Sequence, residues 1–246
     1  MSSAFEGLKP EGLFSKFEAL TKIPRCSGNE AGAAKYMLDF AKKKGVEAEQ
    51  DDSGNVVVRV PASKGKEKAQ TVVLQGHLDM VGEKDSDSRH DFDKDPIKVL
   101  RDGDFLTADG TTLGADNGIG LAAGLAVAED ETAVHGPLEL LFTVDEETGL
   151  TGAQNIKPGF VSGKIMLNLD SEEEGSLYVG CAGGADTSIA LPVERESASG
   201  KAYEVKVSGL KGGHSGLDIN LGRGNALKVL AAFIDKLREK TEFQLV

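Results

Sequence analysis

The chain has no tryptophan, only two cysteines and four histidines in 246 residues, and aromatics make up 5% of it. No apolar run approaches the roughly 20 residues that a membrane-spanning helix needs, and residues 1–10 lack the basic and apolar regions of a secretory signal. A membrane protein is therefore not expected, and the expected location is the cytoplasm. Cys26 and Cys181 lie too far apart to form a metal knuckle and suggest no disulfide framework, so both are expected to be buried thiols. Positive charge is also short. The 28 Lys and Arg against 40 Asp and Glu leave a net charge of −12, and with no basic stripe to offset it a nucleic-acid partner is not expected.

What is present reads as an ordinary globular protein, 39% hydrophobic and 28% charged, long enough for one large core or one core plus part of a second domain. Residues 11–44 read as helix interrupted around Pro24, with Ala34, Met37, Leu38 and Ala41 at helical spacing and a Lys run before Gly45. Val56–Val60 is a short β-branched strand, 71–74 a second strand running into His77, and 118–129 an Ala- and Leu-rich helix. Residues 138–144 and 164–169 are nearly continuous in apolar residues, as expected of strands covered on both faces. Strands alternating with helices predict an α/β layered domain over 1–184 with a mostly buried mixed sheet. Beyond it, half-buried strands at 186–193 and 203–207 precede a helix with Leu227, Leu230, Phe233, Ile234 and Leu237 on one face, the start of a smaller α+β domain over 185–246.

Four segments bearing acids or histidine follow in order, each at or just beyond an apolar run: His77 and Asp79, Asp116, Asp145 to Glu147, and Asp170. Two residues apart on an extended chain, His77 and Asp79 leave the same face, so the carboxylate can accept the second imidazole N–H and fix the tautomer. Alone, such a pair reads as structural; its place after an apolar strand turns it toward function, because functional groups collect at the carboxyl ends of strands. Asp116, in a Gly-rich turn before a helix, either bridges two cations about 3.5–4 Å apart or caps that helix. Asp145-Glu146-Glu147 ends an apolar strand with like charges where desolvation is costly, which suits a cation; the plain alternative is an acidic surface turn. A nitrogen and oxygen set of this kind, with a water in place, has the composition of a catalytic zinc site. Such a site brings the pKa of its water down to about 7, which points to hydrolysis of a carbonyl derivative without a Ser or Cys nucleophile. Gly118, Gly120 and Gly124 misplace the third glycine of a dinucleotide loop, and His90 and His135 read as solvated loop histidines.

The segments at 76–81 (Gly-His-Leu-Asp-Met-Val), 113–118 (Leu-Gly-Ala-Asp-Asn-Gly), 145–149 (Asp-Glu-Glu-Thr-Gly) and 168–175 (Asn-Leu-Asp-Ser-Glu-Glu-Glu-Gly) resemble the aminoacyl-histidine dipeptidases. These belong to the co-catalytic zinc peptidases that include carnosinases, aminoacylases and carboxypeptidase G. The resemblance extends over essentially the whole chain, including 23–27 (Ile-Pro-Arg-Cys-Ser) and 180–184 (Gly-Cys-Ala-Gly-Gly). It implies that His77 and Asp170 hold one zinc, Glu147 the other, and Asp116 bridges them, with cobalt or manganese as possible substitutes. It further implies a cis peptide between Asp116 and Asn117, Asp79 as the orienter of His77, and Glu146 as general base and later acid. His214, in Gly212-Gly213-His214-Ser215-Gly216, corresponds to a lid histidine that steadies the oxyanion; the local alternative is a Gly-rich turn. Arg223 and Asn225 are candidates for gripping the substrate carboxylate, and the lid domain for forming a homodimer.

Members of that group run on past the position of Val246, complete the lid and return to the first domain with a second metal-binding histidine. The chain is therefore expected to match an N-terminal portion, one ligand short, binding one metal more tightly than the other and hydrolysing dipeptides such as Xaa-His poorly. An aminoacylase or tripeptidase of the same group, and an inactive metal-binding fragment, are the alternative readings.

Overall fold

Pro10 opens the first helix, α1 (Glu11–Leu20), whose Phe17 and Leu20 are buried. In the computed structural model, residues 3–171, 173–181, 183, 187–197, 199–213 and 218–245 are described. The chain divides into two units, Met1–Cys181 and Ala182–Val246. Helix α2 (Ala31–Lys44) buries Ala33, Ala34, Met37, Phe40 and Ala41. It ends where Gly45 takes a left-handed φ of +73° and its N–H turns back to Ala41 and Lys42.

Two strands follow, β1 (Glu47–Gln50) and β2 (Val56–Val60), joined by a turn in which the Asp51 carboxylate accepts Ser53 N and Asn55 N, each at 2.9 Å. Next come β3 (Val72–His77), the hairpin strands β4 (Val99–Asp102) and β5 (Phe105–Ala108), and α3 (Ala115–Glu129). Strand β6 (Leu138–Thr143), two four-residue helices α4 (Glu146–Gly149) and α5 (Thr151–Gln154), and β7 (Ile165–Asn168) complete the first unit.

The main sheet has the order β1-β2-β6-β3-β7, antiparallel from β1 to β6 and parallel from β6 to β7. Alternation along β2 and β6 sends Val56, Val58, Leu140 and Phe142 into one core with α1, α2 and α3, and Val57 and Leu141 into a second with Val73 and Phe160. Full burial of each such side chain contributes about 1.5–3 kcal/mol. The mixed sheet and α/β layering are as predicted; β1, β4 and β5 were not, being short and mostly exposed.

Three expectations need correction. The run at 164–169 forms β7, but all four of its residues are exposed, because among the described residues β7 is an edge strand that pairs only with β3. The thiols are not buried: Cys26 is half-buried and Cys181 exposed. The strands expected at 186–193 and 203–207 are not formed among the described residues. There Ile189, Leu191, Val193, Tyr203 and Val205 stand exposed with no neighbouring strand to complete a ladder.

The ordered elements described in the second unit are a 3₁₀ turn (Ile219–Leu221) and α6 (Ala226–Arg238). Asn225 caps α6 by accepting Lys228 N at 3.0 Å. The helix has the apolar spacing expected, yet Leu227 and Phe233 remain exposed. Among the described residues no helix is long and apolar enough to cross a membrane.

Candidate metal centre

Strand β3 ends at His77, level with Thr143 at the end of β6, and this carboxyl edge of the parallel strands is where the acids converge. His77 is 1% exposed. Its Nε2 lies 2.9 Å from Asp116 Oδ1 and 3.4 Å from Asp170 Oδ1; its Nδ1 lies 3.2 Å from Asp79 Oδ1 and 3.1 Å from the Asp79 carbonyl.

Asp79 is fully buried and does more than face the imidazole. Its Oδ1 accepts Glu146 N, its Oδ2 accepts Glu147 N, each at 3.1 Å, and Ser27 Oγ donates to Oδ2 at 2.7 Å. One carboxylate thus fixes both His77 and the backbone that presents the two glutamates. The turn between β6 and α4 is secured further by Glu30, which accepts Asp145 N at 3.1 Å, and by Asn55, which accepts Val144 N at 3.1 Å and donates to Gly152 O at 2.9 Å. Asp145 itself is left-handed, φ 54°, and its carboxylate accepts the hydroxyls of Thr148 and Thr151.

Asp116 sits where α3 begins, at a kink that includes Asn117, and the Asp116–Asn117 peptide is cis. Among the described residues the Asp116 Oδ1 lies beside His77 Nε2, 2.9 Å away, rather than on a backbone N–H of the helix start. Asn117 donates to Leu169 O at 2.9 Å and Asp170 Oδ1 at 2.5 Å, tying the start of α3 to the end of β7. A Cβ at Gly76 or Gly120 would collide with the Asn117 amide oxygen, so glycine at both positions makes room for this tie.

Among the described residues, atoms that could hold a metal ion fall into two trios sharing the imidazole: His77, Glu146 and Asp170, and His77, Asp116 and Glu147, with atoms of each trio within 4.8 Å of one another. A third acidic trio, Glu30, Asp79 and Asp145, lies behind them and is engaged in the hydrogen bonds just described. The electrostatics report crowding of negative charge. Burial, followed by Asp116, pushes Glu147 up to about 7, and burial also raises Glu146. Burial opposes the His77 imidazolium, but Asp116, Asp170 and Asp79 outweigh it and push His77 up to about 12. Asp170 and Asp79 stay ionised despite burial, each held low by His77 first. Imidazole nitrogen and carboxylate oxygens so arranged are a donor set that fits divalent cations.

Six of the predicted site residues thus come together: His77, Asp79, Asp116, Glu146, Glu147 and Asp170. His214 lies outside the described residues. In the second unit Arg223 donates to Gly212 O and pairs with Asp218 at 3.0 Å, while Asn225 serves as the cap of α6. His90 packs edge-on against Phe92, ring centroids 4.5 Å apart, and His135 meets Gly136 O at 2.7 Å; neither joins the cluster. Reading the sequence missed Ser27, Glu30, Asn55, Asn117 and the buried Arg25 as supports. The signal for Asn117 was its place beside Asp116, and for Arg25 its apolar surroundings in Ile23-Pro24-Arg25-Cys26.

Comparison with known proteins places this fold and its edge of converging carboxylates in a peptidase family. The model of peptidase family M28 matches residues 55–202, and the chain belongs to that family. It is 46% identical over 246 residues to the cytosol non-specific dipeptidase of Escherichia coli (strain K12), covering 99% of this chain and 51% of that protein. Among solved structures it resembles the aminoacylhistidine dipeptidase from Vibrio alginolyticus, with 42% identity, a TM-score of 0.73, and 94% of this chain and 48% of that one covered. It also resembles aminopeptidase PepT from Bacillus cereus ATCC 10987, with 27% identity, a TM-score of 0.57, and 66% of this chain and 44% of that one covered. The chain thus spans about half the length of the first two relatives.

Proposed function

We propose that the chain carries the metal centre of a cytoplasmic dipeptidase, acting on unsubstituted dipeptides with Xaa-His among them. The observation that carries this reading is the pair of trios at the carboxyl edge of β3, β6 and β7, supported by the similarity to two proteins named as dipeptidases. His77 and Asp170 would hold one divalent ion, Glu147 the other, and Asp116 both; zinc is the leading candidate, with cobalt and manganese as substitutes. When bound, such a pair supplies Lewis-acid activation of water and of the scissile carbonyl.

The rest of the chemistry falls to side chains of this chain. Glu146, half-buried and raised by that burial, takes the proton of the attacking water on its carboxylate and returns it to the leaving amine. Asp79 keeps the His77 ring in one orientation and keeps Glu146 beside it through the backbone. The second unit is read as the opening of a lid and dimerisation domain, a role for which the apolar stripe of α6 is suited. His214 would serve there as oxyanion donor, and Arg223 with Asn225 as the carboxylate grip.

A second reading, metal binding without efficient turnover, is favoured by the single imidazole that the two trios share among the described residues. Hydrolysis of Ala-His and carnosine by the zinc-loaded chain separates the two. If turnover is seen, Glu146→Gln is expected to reduce it about 10²–10⁴-fold with metal affinity kept; turnover that survives this change removes Glu146 from the base role. A parent chain that binds zinc but hydrolyses nothing establishes the second reading.

A further inference from the structure

Arg25 is 2% exposed, and among the described residues it forms no ion pair within 4 Å. Its guanidinium is spent on backbone instead. Nη1 donates to Leu78 O at 2.9 Å and Asp79 O at 2.7 Å, and Nη2 donates to Gly114 O. Those carbonyls belong to two segments distant in sequence, one carrying His77 and Asp79, the other leading into Asp116. The return contact runs through backbone, Met80 N to Arg25 O at 3.1 Å.

The surroundings are built around this side chain. A Cβ at Gly114 or at Gly118 would lie 2.7 Å from Arg25 Nη2, so both glycines keep space for it. Among the described residues Arg25 Nε is buried without a hydrogen-bond partner, a costly arrangement for a charged group. A guanidinium sunk among backbone carbonyls, with one donor idle, suits holding geometry better than maximising stability.

We propose that Arg25 is a positioning residue: by clamping the carbonyls of Leu78, Asp79 and Gly114 it sets the separation between the His77 imidazole and the Asp116 carboxylate. Its consequence for metal binding rests on the metal-centre reading above; the clamp itself does not. Its place is beside the ligands, where loss of an outer partner typically lowers metal affinity about 10–100-fold.

The test uses the full chain with Arg25→Lys, which keeps a charge but loses the planar fork, and Arg25→Met, which keeps bulk without donors. Amide hydrogen exchange is followed in the metal-free protein, and cobalt(II) is the metal probe, read by its visible absorption and by competition with a chelator. Exchange in segments 77–80 and 113–118 is expected to accelerate about tenfold or more while β6 stays protected, since local opening is separable from global unfolding. Cobalt affinity is expected to fall about 10–100-fold, with an altered absorption band and Lys intermediate between parent and Met. Faster exchange spread evenly through β6, or unchanged exchange in both segments, overturns the clamp. An unchanged cobalt spectrum and affinity overturn its bearing on the metal. If Arg25→Met does not fold, Arg25→Lys decides alone. A parent chain that binds no cobalt sinks the metal-centre reading, and the exchange measurements still decide the clamp.

Discussion

Strands β6 and β7 are written in much the same alphabet, Leu-Glu-Leu-Leu-Phe-Thr and Ile-Met-Leu-Asn, and end in different circumstances. β6 lies between β2 and β3 with all six residues buried; among the described residues β7 pairs with β3 alone, and all four of its residues are exposed. An apolar run states a capacity for burial, and the order of strands in the sheet decides whether the capacity is used. Both strands nevertheless deliver acids to the same edge. The parallel register places Asn168 opposite Gln75, and Leu169 N then donates to Gln75 O at 2.9 Å, which brings Asp170 to the level of His77. Register, not burial, places that carboxylate.

Paired truncations break the comparison most directly. Leu140→Ala empties a fully buried position in β6 and is expected to cost about 2–5 kcal/mol in urea unfolding. Leu167→Ala, on the exposed edge strand, is expected to change stability by no more than about 0.5 kcal/mol. Equal losses would mean that β7 is covered in solution. A smaller effect sharpens the link between the two strands. Buried Glu139 of β6 accepts Ser162 N at 2.8 Å, Gly163 N at 2.9 Å and Ser162 Oγ at 2.8 Å, tethering the segment that leads into β7. Burial opposes its ionisation, but the amides of Gly163 and Ser162 outweigh that and hold its pKa below the ordinary range. The stabilisation is therefore present above the unfolded value of about 4.3 and is lost as pH falls through the folded one. Glu139→Gln is expected to cost about 1.5–3 kcal/mol at pH 7, with parent and variant converging in acid; a difference independent of pH would contradict the tether's ionic character.

How much was legible follows the same division. Helices α1 and α2 and strands β2, β3 and β6 were legible because each carries its own pattern and also finds the partner that the pattern anticipates. The strands expected at 186–193 and 203–207 had the pattern without the partner, and a ladder cannot be read from one strand. At the candidate metal centre the acids stood out because charge at the end of an apolar strand is locally anomalous. Arg25, Ser27 and Asn117 did not, since their significance lies in hydrogen bonds to residues 52 or more positions away. Spacing along the chain says nothing about such contacts.

The edge where β3, β6 and β7 end allows one more measurement, on candidate ligands supplied by different strands. His77 ends β3 and is pushed up to about 12, burial being outweighed by Asp116, Asp170 and Asp79; Glu147 follows β6 and is pushed up to about 7 by burial and Asp116. Asp170, beyond β7, is held low despite burial, by His77 first, and has no proton to lose near neutrality. A metal requires its ligands deprotonated, so binding displaces the His77 proton at any pH up to about 12 and the Glu147 proton only below about 7. For the two ions taken together, the overall affinity is thus expected to rise about 100-fold per pH unit between 5 and 6.5 and about tenfold per unit between 7.5 and 8.5, the slope in each window counting displaced protons. Chelator competition at fixed ionic strength across that range reads both slopes. Glu147→Gln removes the second proton, and with it the steeper limb, at the cost of a ligand. A parent chain with one slope throughout would mean that Glu147 is already ionised beside Asp116 before any cation arrives.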